Sequence, residues 1–142
     1  MSLSVLILAA GKGSRMNSAS PKVLQKLAGR PMIDYVLTIA KKLTRKVIVI
    51  VGSQQEMLRQ HLAGEQIEFV EQRQQFGTGH AVAQALPQLS DKDAVLILSG
   101  DVPLLTDEIV SQLIDSGSSC DVAVLTSNLD SPAGYGRIIR DK

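Results

Sequence analysis

Val5-Leu6-Ile7-Leu8-Ala9-Ala10-Gly11 is a continuous apolar run stopped by a glycine. A run with no polar alternation suits a strand covered on both faces, as in a parallel sheet, and the glycine lets the chain turn sharply into a loop. The pattern returns at Val47-Ile48-Val49-Ile50-Val51, ended by Gly52, and at Ala94-Val95-Leu96-Ile97-Leu98, closed by Ser99-Gly100-Asp101. Between the first two runs, Ile33, Val36, Ala40 and Leu43 recur at helical spacing. Pro31 stands where the first helical residue is expected, and Lys41, Lys42, Arg45 and Lys46 crowd the end where the helix dipole favours cations. Weaker signals predict a helix from Gln54 to Leu62, a short strand at Ile67 to Val70 and a helix opened by Gly77-Thr78-Gly79. A helix at Asp107 to Asp115, a strand at Val122 to Leu125 and a strand start within Gly134 to Arg140 complete the series. Strands alternating with helices in this way imply an α/β fold with a doubly wound, mostly parallel sheet.

Composition narrows the function. The 142 residues suffice for one domain, and 44% hydrophobic with 20% charged residues is the balance of a soluble globular chain. The net charge of +1 conceals an asymmetry: residues 1–46 carry nine basic and one acidic residue, whereas residues 47–142 carry six and thirteen. The amino-terminal third is therefore where an anion is expected. Aromatic residues amount to 3%, with no tryptophan, which argues against the stacking platforms of nucleic-acid binders. The single Cys120 cannot form an internal disulfide, and two histidines make no Cys/His metal cluster. The first apolar run is far shorter than the roughly 20 residues that span a bilayer, so a reducing, cytoplasmic setting without membrane contact is expected.

Three segments could carry chemistry. The glycine loop Gly11-Lys12-Gly13-Ser14-Arg15-Met16 follows a strand, where exposed amides cradle phosphate, and Lys22 follows shortly after Pro21. The spacing is not that of a Walker A loop, and Met16 stands where a dinucleotide fingerprint needs glycine or alanine. Arg15 and Lys22 flanking such a loop suit a triphosphate; a tight turn with solvated cations is the alternative. Asp101, just past a buried strand, is a candidate Mg²⁺ ligand, since magnesium takes one or two carboxylates plus phosphate oxygens; capping a turn into Pro103 is the alternative. Gln72, Gly77 and Thr78 offer the amide and backbone groups that reading a uracil or sugar edge requires, with Thr78 as a simple helix N-cap the alternative. His80 reads as packed beside that loop rather than catalytic, and Cys120 as passive.

Taken together, Leu8 to Met16, Pro21-Lys22-Val23-Leu24, Leu27 to Met32, Gly77-Thr78-Gly79-His80-Ala81, Gly100-Asp101-Val102-Pro103-Leu104 and Gly134-Tyr135-Gly136-Arg137-Ile138 resemble the sugar-1-phosphate nucleotidyltransferases. They closely resemble the uridylyltransferases that form UDP-N-acetylglucosamine for peptidoglycan precursors, and the likeness covers essentially the whole chain. The resemblance implies a Rossmann-like nucleotidyltransferase fold, with UTP and N-acetylglucosamine 1-phosphate as substrates and UDP-N-acetylglucosamine and pyrophosphate as products. It implies that Leu8, Ala9, Ala10, Gly11 and Gly13 contact the nucleotide, with Arg15 and Lys22 as catalytic cations at the phosphates. Gln72, Gly77 and Thr78 would read the uridine, Asp101 would hold Mg²⁺ and Gly136 would contact the sugar. Ser99 departs from the tyrosine that some relatives carry before Gly-Asp. The family's domain runs beyond Lys142 and its bifunctional members add an acetyltransferase domain. Residues 1–142 are therefore expected to be the amino-terminal, nucleotide-binding half of a truncated domain, with homo-oligomerisation left open. Another sugar- or polyol-phosphate nucleotidyltransferase, or a non-catalytic nucleotide-binding fragment, are the alternatives.

Overall fold

A computed structural model describes residues 2–11, 20–52 and 55–140. The chain runs through β1 (Leu3–Ala9), β2 (Lys26–Leu27), β3 (Arg30–Pro31), α1 (Met32–Leu43), β4 (Val47–Val51) and α2 (Gln55–His61). It continues through β5 (Glu68–Glu71), α3 (Thr78–Ala85), β6 (Ala94–Ser99) and α4 (Asp107–Gly117). Four strands form one parallel sheet in the order β5-β4-β1-β6, with Leu6 opposite Ile48 on one side and Ile97 on the other. The chain leaves β1 through α1 towards β4 and returns through α3 to the far side of β1. The connections therefore diverge at the carboxyl ends of β1 and β6, the crevice where open α/β sheets bind their ligands.

Helices cover both faces, as the apolar runs require. On one face Ile33 and Val36 of α1, Leu58 of α2 and Val110 of α4 pack against Val5, Ile7, Val49 and Leu98. On the other, Ala81 and Ala85 of α3 meet Leu6, Ile48, Ile50 and Val70. The small alanine side chains let α3 lie close to the central strands. No helix among the described residues is long and apolar enough to cross a membrane.

The structure departs from sequence expectation at four places. In β6, Leu96 and Leu98 are buried but Val95 and Ile97 are 39% and 46% exposed, so that strand is covered on one face only. The cause is position: α3 lies over β1, β4 and β5, leaving the other face of the edge strand β6 open. Val122 to Leu125 form no strand, and Gly134 to Arg140 form none either. β-branched composition suits a pleated surface, but a strand exists only where its backbone finds a partner edge, and neither segment pairs with one. Pro31, finally, belongs to β3 and occupies the N-cap of α1, whose first residue is Met32. The β2–β3 hairpin turns through Ala28 (φ 50°) and Gly29 (φ 82°), the left-handed pair that matches strand twist in a two-residue turn.

The amino edge of the sheet is sealed by a polar cluster. Asp93, at the entry to β6, accepts hydrogen bonds from Ser2 Oγ, from Ser4 Oγ (2.9 Å), from Lys46 Nζ (2.9 Å) and from the Ser90 backbone N–H (3.2 Å). These four donors, Ser2 foremost and then Lys46, hold its carboxyl well below the usual carboxylate range.

Candidate functional site

At the opposite, carboxyl edge, three strand ends are drawn together by backbone contacts that demand glycine. The Gly100 N–H donates to Leu8 O (2.9 Å), tying the end of β6 to that of β1. A Cβ on Gly100 would lie 3.0 Å from Leu8 O and 3.2 Å from Val23 Cγ1. At the end of β4, a Cβ on Gly52 would lie 2.6 Å from Ala10 O, closer than real contacts allow. Gln75 donates its amide to that same Ala10 carbonyl, bringing the loop after β5 against the end of β1.

The charged centre of the crevice is one ion pair. Pro21 and a single 3₁₀ turn at Lys22–Leu24, anchored by the buried Val23, set Lys22 beside the end of β6. Its Nζ donates to Asp101 Oδ2 at 2.6 Å, with the two side chains 42% and 31% exposed. Among the described residues the Asp101 carboxylate bonds Lys22 and no group of the turn into Pro103. Among the described residues no group of three or more His, Cys, Asp or Glu side chains gathers to form a metal cage. A lone, partly exposed carboxylate in a crevice still fits magnesium, whose remaining ligands are phosphate oxygens and water.

The loop after β5 forms a second polar centre. Gln72 extends the strand pairing through its N–H to Val51 O (2.8 Å), and its side chain is buried. Gln72 Nε2 lies 3.0 Å from Gly77 O and 3.0 Å from His80 Nδ1. Gly77, with φ 100°, supplies the left-handed conformation that opens α3 and stands at its N-cap. Thr78 is the first helical residue and makes no capping bond, so the N-cap expected of it does not form. His80, read from sequence as merely packed, has an amide facing each ring nitrogen. The signal for this was its i+8 distance from Gln72 across a glycine turn, which a linear motif does not reveal.

The structure thus brings Leu8, Ala9, Ala10, Gly11, Lys22, Gln72, Gly77, Thr78 and Asp101 to the carboxyl edge, on the ends of β1, β5 and β6 and the turns that follow them. Gly13 and Arg15 lie outside the described residues. Gly136 sits in an exposed segment without helix or strand, and its carbonyl accepts a hydrogen bond from Arg137 of the same segment (3.3 Å). Among the described residues the basic amino-terminal third is not one patch: Lys41 pairs with Glu65, Lys42 with Asp107 and Lys46 with Asp93, whereas Lys22 sits at the crevice. A separate depression of about 360 Å³ between β6, α4 and residues 123–125 is lined by Leu98, Val110 and Leu113 and offers no cation to a phosphate.

Comparison with known proteins agrees with this geometry. The chain is 54% identical over its whole length to the bifunctional protein GlmU of Francisella philomiragia, and 51% identical to that of Francisella tularensis subsp. novicida. It spans 31% of the length of each of these relatives. In fold it superimposes on the solved structure of Rv0371c from Mycobacterium tuberculosis H37Rv with a TM-score of 0.70 at 19% identity, over 82% of this chain and 60% of that one. A family model for the MobA-like NTP transferase domain matches residues 5–141, and the chain belongs to that family.

Proposed function

We propose that this chain carries the nucleotide half of a uridylyltransferase site. The reaction joins UTP and N-acetylglucosamine 1-phosphate to give UDP-N-acetylglucosamine and pyrophosphate, in the cytoplasm. The observation that carries the reading is the Lys22–Asp101 pair at the divergence of β1 and β6, a cation and a carboxylate where a triphosphate and its metal must meet. In the reaction a phosphate oxygen of the sugar phosphate attacks the α-phosphorus of UTP in line. The bond from that phosphorus to the bridging oxygen of the β-phosphate breaks, and pyrophosphate leaves with the electron pair. Little acid-base work is needed, so the protein's task is positioning and charge neutralisation. Lys22 exchanges Asp101 for a phosphate oxygen, and Arg15 adds a second cation from the loop. The free backbone around Gly11 and Gly77 orients the nucleotide, and the Gln72 amide faces the base. Asp101 would hold Mg²⁺, which when bound neutralises phosphate charge.

GlmU likeness supports the nucleotidyl-transfer chemistry, and the choice of uridine and N-acetylglucosamine is the part of the proposal that rests on the motif resemblance alone. A second reading, nucleotide binding without turnover, is favoured by one observation: the sugar-side Gly136 lies in an exposed segment without helix or strand. Pyrophosphate release with UTP, Mg²⁺ and N-acetylglucosamine 1-phosphate separates the two. Release that falls at least about a hundredfold in Arg15→Ala, with an unchanged melting midpoint, supports transfer. UTP binding without release supports the second reading, and no binding at millimolar UTP overturns both.

A further inference from the structure

The Gln72–His80–Gln84 chain of contacts has a defined proton arrangement. Gly77 O is a carbonyl and can only accept, so the end of the Gln72 amide facing it at 3.0 Å is the nitrogen. The same nitrogen lies 3.0 Å from His80 Nδ1, which must therefore be the unprotonated ring nitrogen. Both N–H bonds of the amide are then engaged, one by Gly77 and one by His80. His80 Nε2 carries the proton and meets the Gln84 amide at 3.3 Å, one turn further along α3. Both that contact and the 3.4 Å approach of the same amide end to His80 O are longer than a normal hydrogen bond, so Gln84 does not set the tautomer. The edge of the Phe76 ring, with centroids 5.3 Å apart and planes at 72°, helps hold the imidazole in place.

We propose that His80 is a positioning residue for base selection. It occupies the second N–H of Gln72, so that the amide presents only its carbonyl oxygen to the ligand. No partner among the described residues meets that oxygen, so it is the one polar atom of this buried amide left for a ligand. An acceptor-only amide matches a base edge bearing a ring N–H, as in uracil, and rejects cytosine, whose ring nitrogen is itself an acceptor. The proposal rests on the reading that Gln72 faces the base.

Calorimetric titration of the 142-residue chain with UTP and CTP, in wild type, His80→Leu and His80→Asn, tests it. Asparagine keeps an acceptor near the place of Nδ1, and leucine removes it. Wild type and His80→Asn are expected to favour UTP over CTP, and His80→Leu to lose about tenfold of that preference, the effect of one hydrogen bond. Should wild type discriminate and His80→Leu discriminate equally, His80 has no such role while the uridine reading stands. A wild-type chain that favours neither nucleotide overturns both. Nitrogen-15 NMR of the wild-type imidazole gives an answer independent of any variant's folding: a proton on Nε2 alone is expected, and a proton on Nδ1 contradicts the arrangement.

Discussion

The two edges of the central sheet each carry a lysine–aspartate pair, and the pairs are built differently. At the amino edge Asp93 takes four donors and its side chain is 3% exposed; at the carboxyl edge Asp101 takes, among the described residues, Lys22 alone and is 31% exposed. A buried carboxylate that already holds four donors has little to offer a ligand, and breaking one bond leaves buried charge uncompensated. One donor in a half-open crevice leaves three acceptor positions and a cation that can exchange partners at little cost. The amino edge is accordingly read as a structural clamp on β1 and β6, and the carboxyl edge as the place where the fold keeps charge available. The same division explains why the basic third of the sequence is not one patch. The crossover α1 carries Lys41 and Lys42, with Lys46 just after it, away from the carboxyl-edge crevice.

Substitutions at the two edges should grade in opposite directions for stability and for nucleotide affinity. Asp93→Ala should lower the melting midpoint more than any carboxyl-edge change, because Lys46 and two serines lose their acceptor together. Nucleotide affinity of Asp93→Ala should be untouched wherever the chain remains folded, as urea titration establishes for the folded range. A depressed folded-state pKa contributes stability above the unfolded value of 3.8, and that stability is lost as pH falls below it towards the folded value. Acid unfolding of wild type should therefore steepen below that pH, and the Asp93→Ala curve should run flatter there. Gly52→Ala forces a methyl group against Ala10 O and should cost about 1–3 kcal/mol in denaturant unfolding, with weakened nucleotide binding as Ala10 shifts. Lys22→Met and Asp101→Asn remove an exposed pair and should change stability by no more than about 0.5 kcal/mol, while each weakens Mg²⁺-UTP binding. Equal stability losses at Asp93 and Asp101 would erase the distinction between clamp and site.

The parts of the fold legible in the sequence were those where burial alone decides. β1 and β4 sit mid-sheet under helices on both faces, so their apolar runs state the answer, and α1 shows its apolar stripe at helical spacing. β6 reads identically in sequence, yet it is an edge strand, and nothing local to Ala94–Ser99 says which strands have a second neighbour. Val122 to Leu125 shows the same limit more sharply, since pairing is a property of two segments. The candidate site divides in the same way. Lys22, Asp101 and Gln72 were legible because each follows a strand end or loop with a recognisable motif. The His80 bond to Gln72 and the Asp93 cluster were not. The first depends on a tight turn at Gly77, and the second joins residues up to 91 positions apart in the chain.

The central claim is that the carboxyl edge, through Lys22 and Asp101, is built to receive a nucleoside triphosphate. Calorimetric titration of UTP with Mg²⁺ into the wild-type chain and into Lys22→Met tests it directly. Saturable binding to wild type is expected, with affinity reduced at least about tenfold in Lys22→Met while the melting midpoint without ligand is unchanged. Equal affinity in the two chains, or no binding at millimolar nucleotide by a folded wild-type chain, would contradict it.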